Sequence, residues 1–256
     1  MSKPGRIVIT GASSGIGAAL ALHYAAPGVM LGLTGRDAGR LAAVADACRA
    51  KGAGVVADTV DVVDRAALAA WLSAFDDAHP VDLLVANAGI SAGSGAAGET
   101  EEQSRRIFAV NLDGVLNTVY PLLPRLRARR RGQVALVSSL AGFRGFPGAP
   151  AYCASKAAVR VWGESLRPLL AADGVGLSVV CPGFVVSRIT DRNDFPMPFL
   201  MGAERAARII ADGLAANRAR IAFPWPMRVM TWLVAALPPA WTDPLLSRTP
   251  RKAAQT

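Results

Sequence analysis

RIVITGASSGIG (residues 6–17) is a short apolar run broken by a glycine-rich turn, and AALALHYAA (18–26) follows at once. Strand, turn and helix in that order predict the opening of a parallel α/β domain that receives a nucleotide. Glycines let backbone approach a pyrophosphate closely, and a helix N-terminus presents free N–H groups and a positive dipole end to it. The spacing is GxxxGxG rather than GxGxxG. Gly11, Ser13, Ser14, Gly15, Ile16 and Gly17 are the first candidate cofactor contacts.

The alternation of apolar run and helix continues outward. VMLGLT (29–34) reads as a second buried strand ending at Gly35, Arg36 and Asp37. A carboxylate at this tip would chelate the ribose diol of NAD. The tip carries Arg36 instead, and a guanidinium suits the 2′-phosphate of NADP, while Asp37 can cap a helix over 38–50. NADP(H) is the expected cofactor and NAD(H) the second choice. GVVA (54–57) leads to Asp61 and Val62, where the carboxylate would hold an adenine amino group or serve a turn, and then to a helix from about 64 to 78. VDLLVA (81–86) ends in Asn87, Ala88 and Gly89, at the carboxyl end where open α/β sheets keep their ligands. The glycine-rich stretch 91–98 reads as a mobile wall of a substrate cleft.

A helical segment from about 101 to 129, interrupted near Pro121 and Pro124, carries Asn111. QVALVSS (133–139) is the fifth strand and delivers Ser138 and Ser139, between which alternation does not choose. GLSVVCPG (176–183) is the sixth, ending at Pro182 and Gly183; a helix over 203–217 and a short strand, 220–223, complete the sheet. The whole pattern predicts an α/β, doubly wound parallel sheet with helices on both faces, one Rossmann-like domain over 1–223.

Within AYCASK (151–156), Tyr152 and Lys156 are four apart, which stacks phenol and ammonium on one helix face. A neighbouring Lys⁺ stabilises phenolate and pulls a tyrosine pKa down from about 10. A serine hydroxyl nearby would hold a carbonyl oxygen while the phenol protonates it. With hydride delivered from elsewhere, that arrangement is a carbonyl reductase.

Composition narrows the alternatives. The chain has 256 residues, 52% of them apolar and 18% charged, so most of it should fold. Its +9 charge gathers only at Arg125, Arg127, Arg129, Arg130 and Arg131, with no aromatic residues interleaved, and reads as a solvated helix end rather than a nucleic-acid surface. Cys48, Cys153 and Cys181 form no CxxC pair, and only His23 and His79 are present, so no metal site is expected and a reducing, cytoplasmic setting fits. The N-terminus runs straight into a strand, with no signal peptide expected.

Taken in order, TGASSGIG (10–17), NAG (87–89), Asn111, SSLAG (138–142), YCASK (152–156) and PG (182–183) resemble the single-domain branch of the short-chain dehydrogenase/reductase family over about residues 5–190. The resemblance implies an oxidoreductase that interconverts a carbonyl and a secondary alcohol. Tyr152 would be its acid/base, with Lys156 lowering the tyrosine pKa and holding the nicotinamide ribose. Ser139 would position the carbonyl, and Asn111 would anchor a water in a proton relay. It also implies cofactor contacts at Pro182, Gly183, Val185 and Ser187, the last standing where the family often has threonine, and a homodimer or homotetramer built on the helices bearing Asn111 and Tyr152. A nucleotide-binding scaffold without turnover is the competing reading, and an NAD-dependent alcohol dehydrogenase another.

Residues 188–202 match the family's substrate lid, so Phe195, Met197, Phe199, Leu200 and Met201 are expected to line an apolar pocket for a hydrophobic substrate. Residues 224–256 form an extension rich in tryptophan and proline, with a disordered tail from about 249. Its apolar run is too short to span a bilayer. Trp225, Trp232 and Trp241 beside Arg228, Arg248, Arg251 and Lys252 make peripheral membrane contact through 224–248 one expectation. A flap over the active site or a neighbouring subunit is the other.

Overall fold

The short apolar runs become strands: β1 (Arg6–Thr10), β2 (Met30–Gly35), β3 (Gly54–Thr59), β4 (Leu83–Ala86), β5 (Gln133–Val137), β6 (Gly176–Pro182) and β7 (Arg220–Phe223). They are seen in a computed structural model that describes residues 4–91, 98–191, 193 and 195–247. All pair in parallel, in the order β3-β2-β1-β4-β5-β6-β7. β4, β5 and β6 are buried along their whole length because helices cover both faces. The order reverses between β1 and β4, and the carboxyl ends of those two strands open the crevice where such sheets bind ligands.

The helices are α1 (Gly15–Tyr24), α2 (Ala38–Ala50), α3 (Arg65–Ala78), α4 (Glu101–Phe108), α5 (Gly114–Val119), α6 (Leu123–Arg129), α7 (Pro150–Ala172), α8 (Ala203–Ala215), α9 (Trp225–Ala236) and α10 (Pro239–Leu246). Alternation along the strands divides the core. Ile7, Ile9, Leu31 and Leu33 face α1, α2 and α8, whereas Val8, Leu84 and Leu136 face α3, α5, α6 and α7. Each fully buried Ile or Leu contributes roughly 1.5–3 kcal/mol. Starts follow local chemistry: Asp37 caps α2 and Asp64 caps α3, each accepting a backbone N–H at 3.0 Å, and Thr100 with Gln103 forms a capping box on α4.

The segment over 101–129 is broken more deeply than its prolines require. A π-helical turn, Ala109–Asp113, separates α4 from α5, and α6 restarts with Pro124 in its first turn. The arginines at its end are mostly exposed, as expected, but they are paired rather than merely solvated. Arg129 holds the buried Asp76 at 2.7 and 2.8 Å, Arg125 meets Asp76 and Asp77, Arg127 meets Asp173 at 2.6 Å and Arg131 meets Asp82 at 2.7 Å. The reason is tertiary, since these acidic partners lie on other elements tens of residues away.

All three cysteines are buried and unbridged. No helix among the described residues is long and apolar enough to cross a membrane. The extension beyond β7 carries two helices, and Arg144 ties α10 back to the domain through Thr242 and Asp243. The glycine-rich wall expected at 91–98 falls mostly at 92–97, and the tail at 248–256; both lie outside the described residues.

Candidate active site

The glycine-rich turn is built to let something come close. Gly11 has φ +68, and a Cβ there would sit 2.7 Å from the Ala88 Cα. A Cβ on Gly17 would lie 2.4 Å from the Gly11 carbonyl oxygen, so only glycine lets α1 start this close to β1. The first residues of α1 receive no side-chain cap from Ser14, which leaves helix N–H groups directed at the crevice. Ser13 packs against Gly35, and Ile16 packs against the core. Gly15 faces Ser187 across the crevice. An uncapped helix N-terminus over a cradle that only glycine can form fits a dinucleotide pyrophosphate.

Around that cradle the expected contacts divide. The Asn87 side chain donates to the carbonyl oxygens of Thr10 and Gly11 at 3.0 and 3.1 Å, clamping β1 to β4, and the backbone N–H groups of Asn87 and Ala88 donate to the Thr10 hydroxyl. Asp61 caps its own turn through the Val63 N–H at 3.1 Å, while Val62 is a buried core side chain whose carbonyl accepts from Asn117. Arg36 stands exposed at the tip of β2. The neighbouring carboxylate, Asp37, is occupied by the α2 N-terminus and by Arg40 at 2.6 Å. Pro182 ends β6 and Gly183 follows it, with the Gly183 N–H bonded to Phe223. Val185 bridges to Met201, and the Ser187 N–H donates to the buried Thr190 at 2.8 Å.

Ser139, Tyr152, Lys156 and Asn111 converge at the carboxyl ends of β4, β5 and β6. Tyr152 and Lys156 lie in the first two turns of α7, which starts with Pro150 in its opening turn. The Ser139 hydroxyl faces the Tyr152 phenol and favours its ionised form, while donating to the Pro182 carbonyl oxygen at 3.4 Å. Ser139 also accepts the Ala141 N–H at 3.1 Å, whereas Ser138 donates to the Lys156 carbonyl oxygen at 2.6 Å. The geometry thereby chooses Ser139 for the site and makes Ser138 a fastening. Lys156 is buried, with its Nζ donating to the Val137 carbonyl oxygen at 2.9 Å and standing 5.9 Å from the Tyr152 ring centroid.

Asn111 is wholly buried in the π-helical turn. Its amide accepts from the Ile90 N–H at 2.8 Å and donates to the Ile90 carbonyl oxygen and to the Ser155 hydroxyl. Ser155, missed in the sequence because a serine beside a lysine carries no signal of its own, links that amide to the Tyr152 carbonyl oxygen at 2.8 Å.

The electrostatics depart from the expected phenolate. Burial pushes the Tyr152 phenol above its ordinary value, against the opposing influence of the Ser139 hydroxyl. Burial likewise pushes the Lys156 ammonium down, to about 8. A low-dielectric environment penalises both charges, and that penalty is the largest influence on each group.

The lid residues also separate. Met201 is buried in the core and Phe195 meets Phe184 edge to face at 6.1 Å, whereas Phe199 and Leu200 are exposed. A cavity of about 560 Å³ beside the site is lined by Phe143, Arg144, Phe146, Pro150 and Leu246. None of the four convergent residues and none of the lid residues line it.

Residues 6–195 match the family model described as short chain dehydrogenase. The chain belongs to the short-chain dehydrogenase/reductase family. As a member of it, the protein is an oxidoreductase. It is 40% identical over 232 residues to an uncharacterized oxidoreductase of Myxococcus xanthus, covering 90% of this chain and 92% of that one. It is similar along its full length, and along all of the other chain, to a short-chain dehydrogenase/reductase of Burkholderia phymatum solved in complex with NAD (TM-score 0.83, 29% identity). A short-chain dehydrogenase of Sphingobium yanoikuyae in complex with NADPH matches with TM-score 0.80 and 26% identity over 98% of both chains.

Proposed function

We propose that this oxidoreductase reduces a hydrophobic ketone or aldehyde to its alcohol, and runs the reverse reaction, with NADP(H) as the preferred cofactor. The observation that carries the reading is the Ser139 hydroxyl facing the Tyr152 phenol beside buried Lys156, at the mouth of a cradle fit for a dinucleotide. NADPH supplies the hydride when bound. Ser139 holds the carbonyl oxygen and Tyr152 gives it a proton. Lys156 carries the positive charge that steadies the developing phenolate. Asn111 is a positioning residue: its amide ties the turn after β4 to the helix bearing Tyr152 and Lys156. A panel of ketones of increasing apolar size, with NADPH consumption as readout, tests the reading; absence of turnover on every carbonyl with either nicotinamide cofactor overturns it. Exposed Val186, Phe199 and Leu200 beside the end of β6 support an apolar substrate, and Phe199 holds φ +57, a strained backbone for a bulky residue.

The cofactor preference rests on Arg36, free of a carboxylate at the ribose end because Arg40 and the α2 N-terminus occupy Asp37. Arg36→Ala should weaken NADPH binding by on the order of ten- to a hundredfold and leave NADH binding unchanged, since a hydrogen-bonded charge contact is worth roughly 1.5–3 kcal/mol. Titration of both nucleotides measures it, and equal loss for both removes the assignment.

A pH dependence follows from the two shifted groups. Lys156 loses its proton at about 8, before Tyr152, whose phenol is held above the ordinary tyrosine range. The reductive kcat/KM should therefore hold through neutral pH and fall as pH rises through about 8, the protonated lysine being the active form. A plateau reaching to the tyrosine range contradicts this role for Lys156.

A further inference from the structure

The helix after the last strand is built inside out. On α9, Met227 and Thr231 are buried and Val234 is half-buried, so these three form the face that rests on the domain. The opposite face carries Trp225, Val229, Trp232, Leu233 and Ala236, which fall at the i, i+4, i+7, i+8, i+11 spacing of one continuous stripe. An ordinary surface helix turns such a stripe inward. Here Trp225 is 71% exposed, Trp232 59% and Leu233 51%, while the Thr231 hydroxyl lies inside, donating to the Met227 carbonyl oxygen at 2.8 Å. Met230 and Leu237 are exposed on one flank of the stripe, and Trp241 of α10 is 73% exposed. Apolar exposure of this kind marks an interaction surface.

The charges around the stripe say what covers it. Arg228 is the only charged residue of α9, and its side chain makes no ion pair among the described residues. It lines a cavity of about 400 Å³ together with Arg220, Phe143 and Trp232. Beyond Asn217 the only acidic residue is Asp243, which is tied to Arg144 at 3.1 Å, and Arg248, Arg251 and Lys252 follow α10 in the sequence. A cation such as Arg228 beside a tryptophan-rich apolar face complements anionic headgroups lying over acyl chains. Two copies joined through the same face would instead bury a pair of Arg228 guanidiniums with no free carboxylate to meet them.

We propose that α9 and α10 form a peripheral docking surface for an anionic membrane, with Trp225, Trp232 and Leu233 at the acyl boundary and Arg228 among the headgroup phosphates. Flotation of the full chain with vesicles tests it, using phosphatidylcholine alone and phosphatidylcholine containing phosphatidylglycerol. The chain should rise with the anionic vesicles, with a blue shift of tryptophan emission, and salt should weaken the binding. Arg228→Glu should lower the affinity roughly tenfold or more, and the double variant Trp232→Glu/Leu233→Glu should abolish flotation. All three side chains are exposed, and unchanged thermal unfolding of the variants shows that the fold is intact. A chain that stays in the bottom fraction with both kinds of vesicle overturns the proposal. So does self-association that Trp232→Glu disperses without any vesicle binding, an outcome that gives the face to a second copy.

Discussion

Tyr152→Phe should lower kcat/KM for carbonyl reduction by roughly a hundred- to ten-thousandfold, the span of a positioned general acid, and leave nicotinamide binding nearly unchanged. The substitution removes one hydroxyl and keeps the ring, so the helix start and the packing around it persist. What is lost is the proton that the phenol holds at neutral pH, where burial keeps it in the acid form. The Ser139 hydroxyl keeps both of its own contacts, the Ala141 N–H and the Pro182 carbonyl oxygen. Ser139→Ala should therefore cost less than Tyr152→Phe, because it removes a holder of the carbonyl rather than the proton donor. Steady-state kinetics with a purified ketone, beside a nucleotide titration of each variant, separate the two effects. Wild-type turnover by Tyr152→Phe would refute the acid/base role outright. An equal fall in nucleotide affinity would point instead to a disturbed fold around α7.

Asp76→Ala should destabilise the protein by about 3–5 kcal/mol, the usual cost of removing one partner from a buried ion pair. Asp76 is 1% exposed and stands at the meeting of α3 and α6. Its carboxylate accepts two hydrogen bonds from Arg129, one from Arg125 and one from the Val81 N–H. Burial alone would raise its pKa, but the hydrogen bonds from Arg129, Val81 and Arg125 outweigh it and hold the carboxyl below its ordinary value. The group therefore contributes stability above the ordinary aspartate pKa, and that contribution is lost as pH falls through the lowered one. Urea unfolding at neutral pH measures the loss. A double-mutant cycle with Arg129→Ala should show strong non-additivity, because the two residues share one contact. A change below about 1 kcal/mol, the range of a surface pair, would mean that the cluster is solvated after all.

Much of this architecture was legible from one chain. The central strands showed as apolar runs because both faces of the sheet are covered there, which removes the need for polar alternation. Asp37 and the Tyr152–Lys156 spacing were legible because capping and one-turn stacking act within a few residues. The sequence was silent wherever partners are distant. Ser138 and Ser139 look alike until the Lys156 carbonyl oxygen claims one and Tyr152 the other. Asn111 looks like an indifferent helix residue until a π-helical turn carries it onto Ile90 and Ser155. Met201 reads as lid until its pairing with Val185 draws it into the core, and the arginines of α6 and Arg131 give no sign in the sequence of the four aspartates from other elements that meet them.

The sequence by itself thus determined the doubly wound sheet and the glycine-rich turn, because periodicity, turn chemistry and helix spacing are local, while the resemblance of its ordered motifs to the family named Asn111, Ser139, Tyr152 and Lys156. Only the tertiary structure decided that Ser138 fastens to the Lys156 carbonyl oxygen, that burial raises Tyr152 and lowers Lys156, and that α9 turns its tryptophans outward. Those outcomes depend on solvent access and on partners brought together from far along the chain, and neither is encoded in the spacing of neighbouring residues.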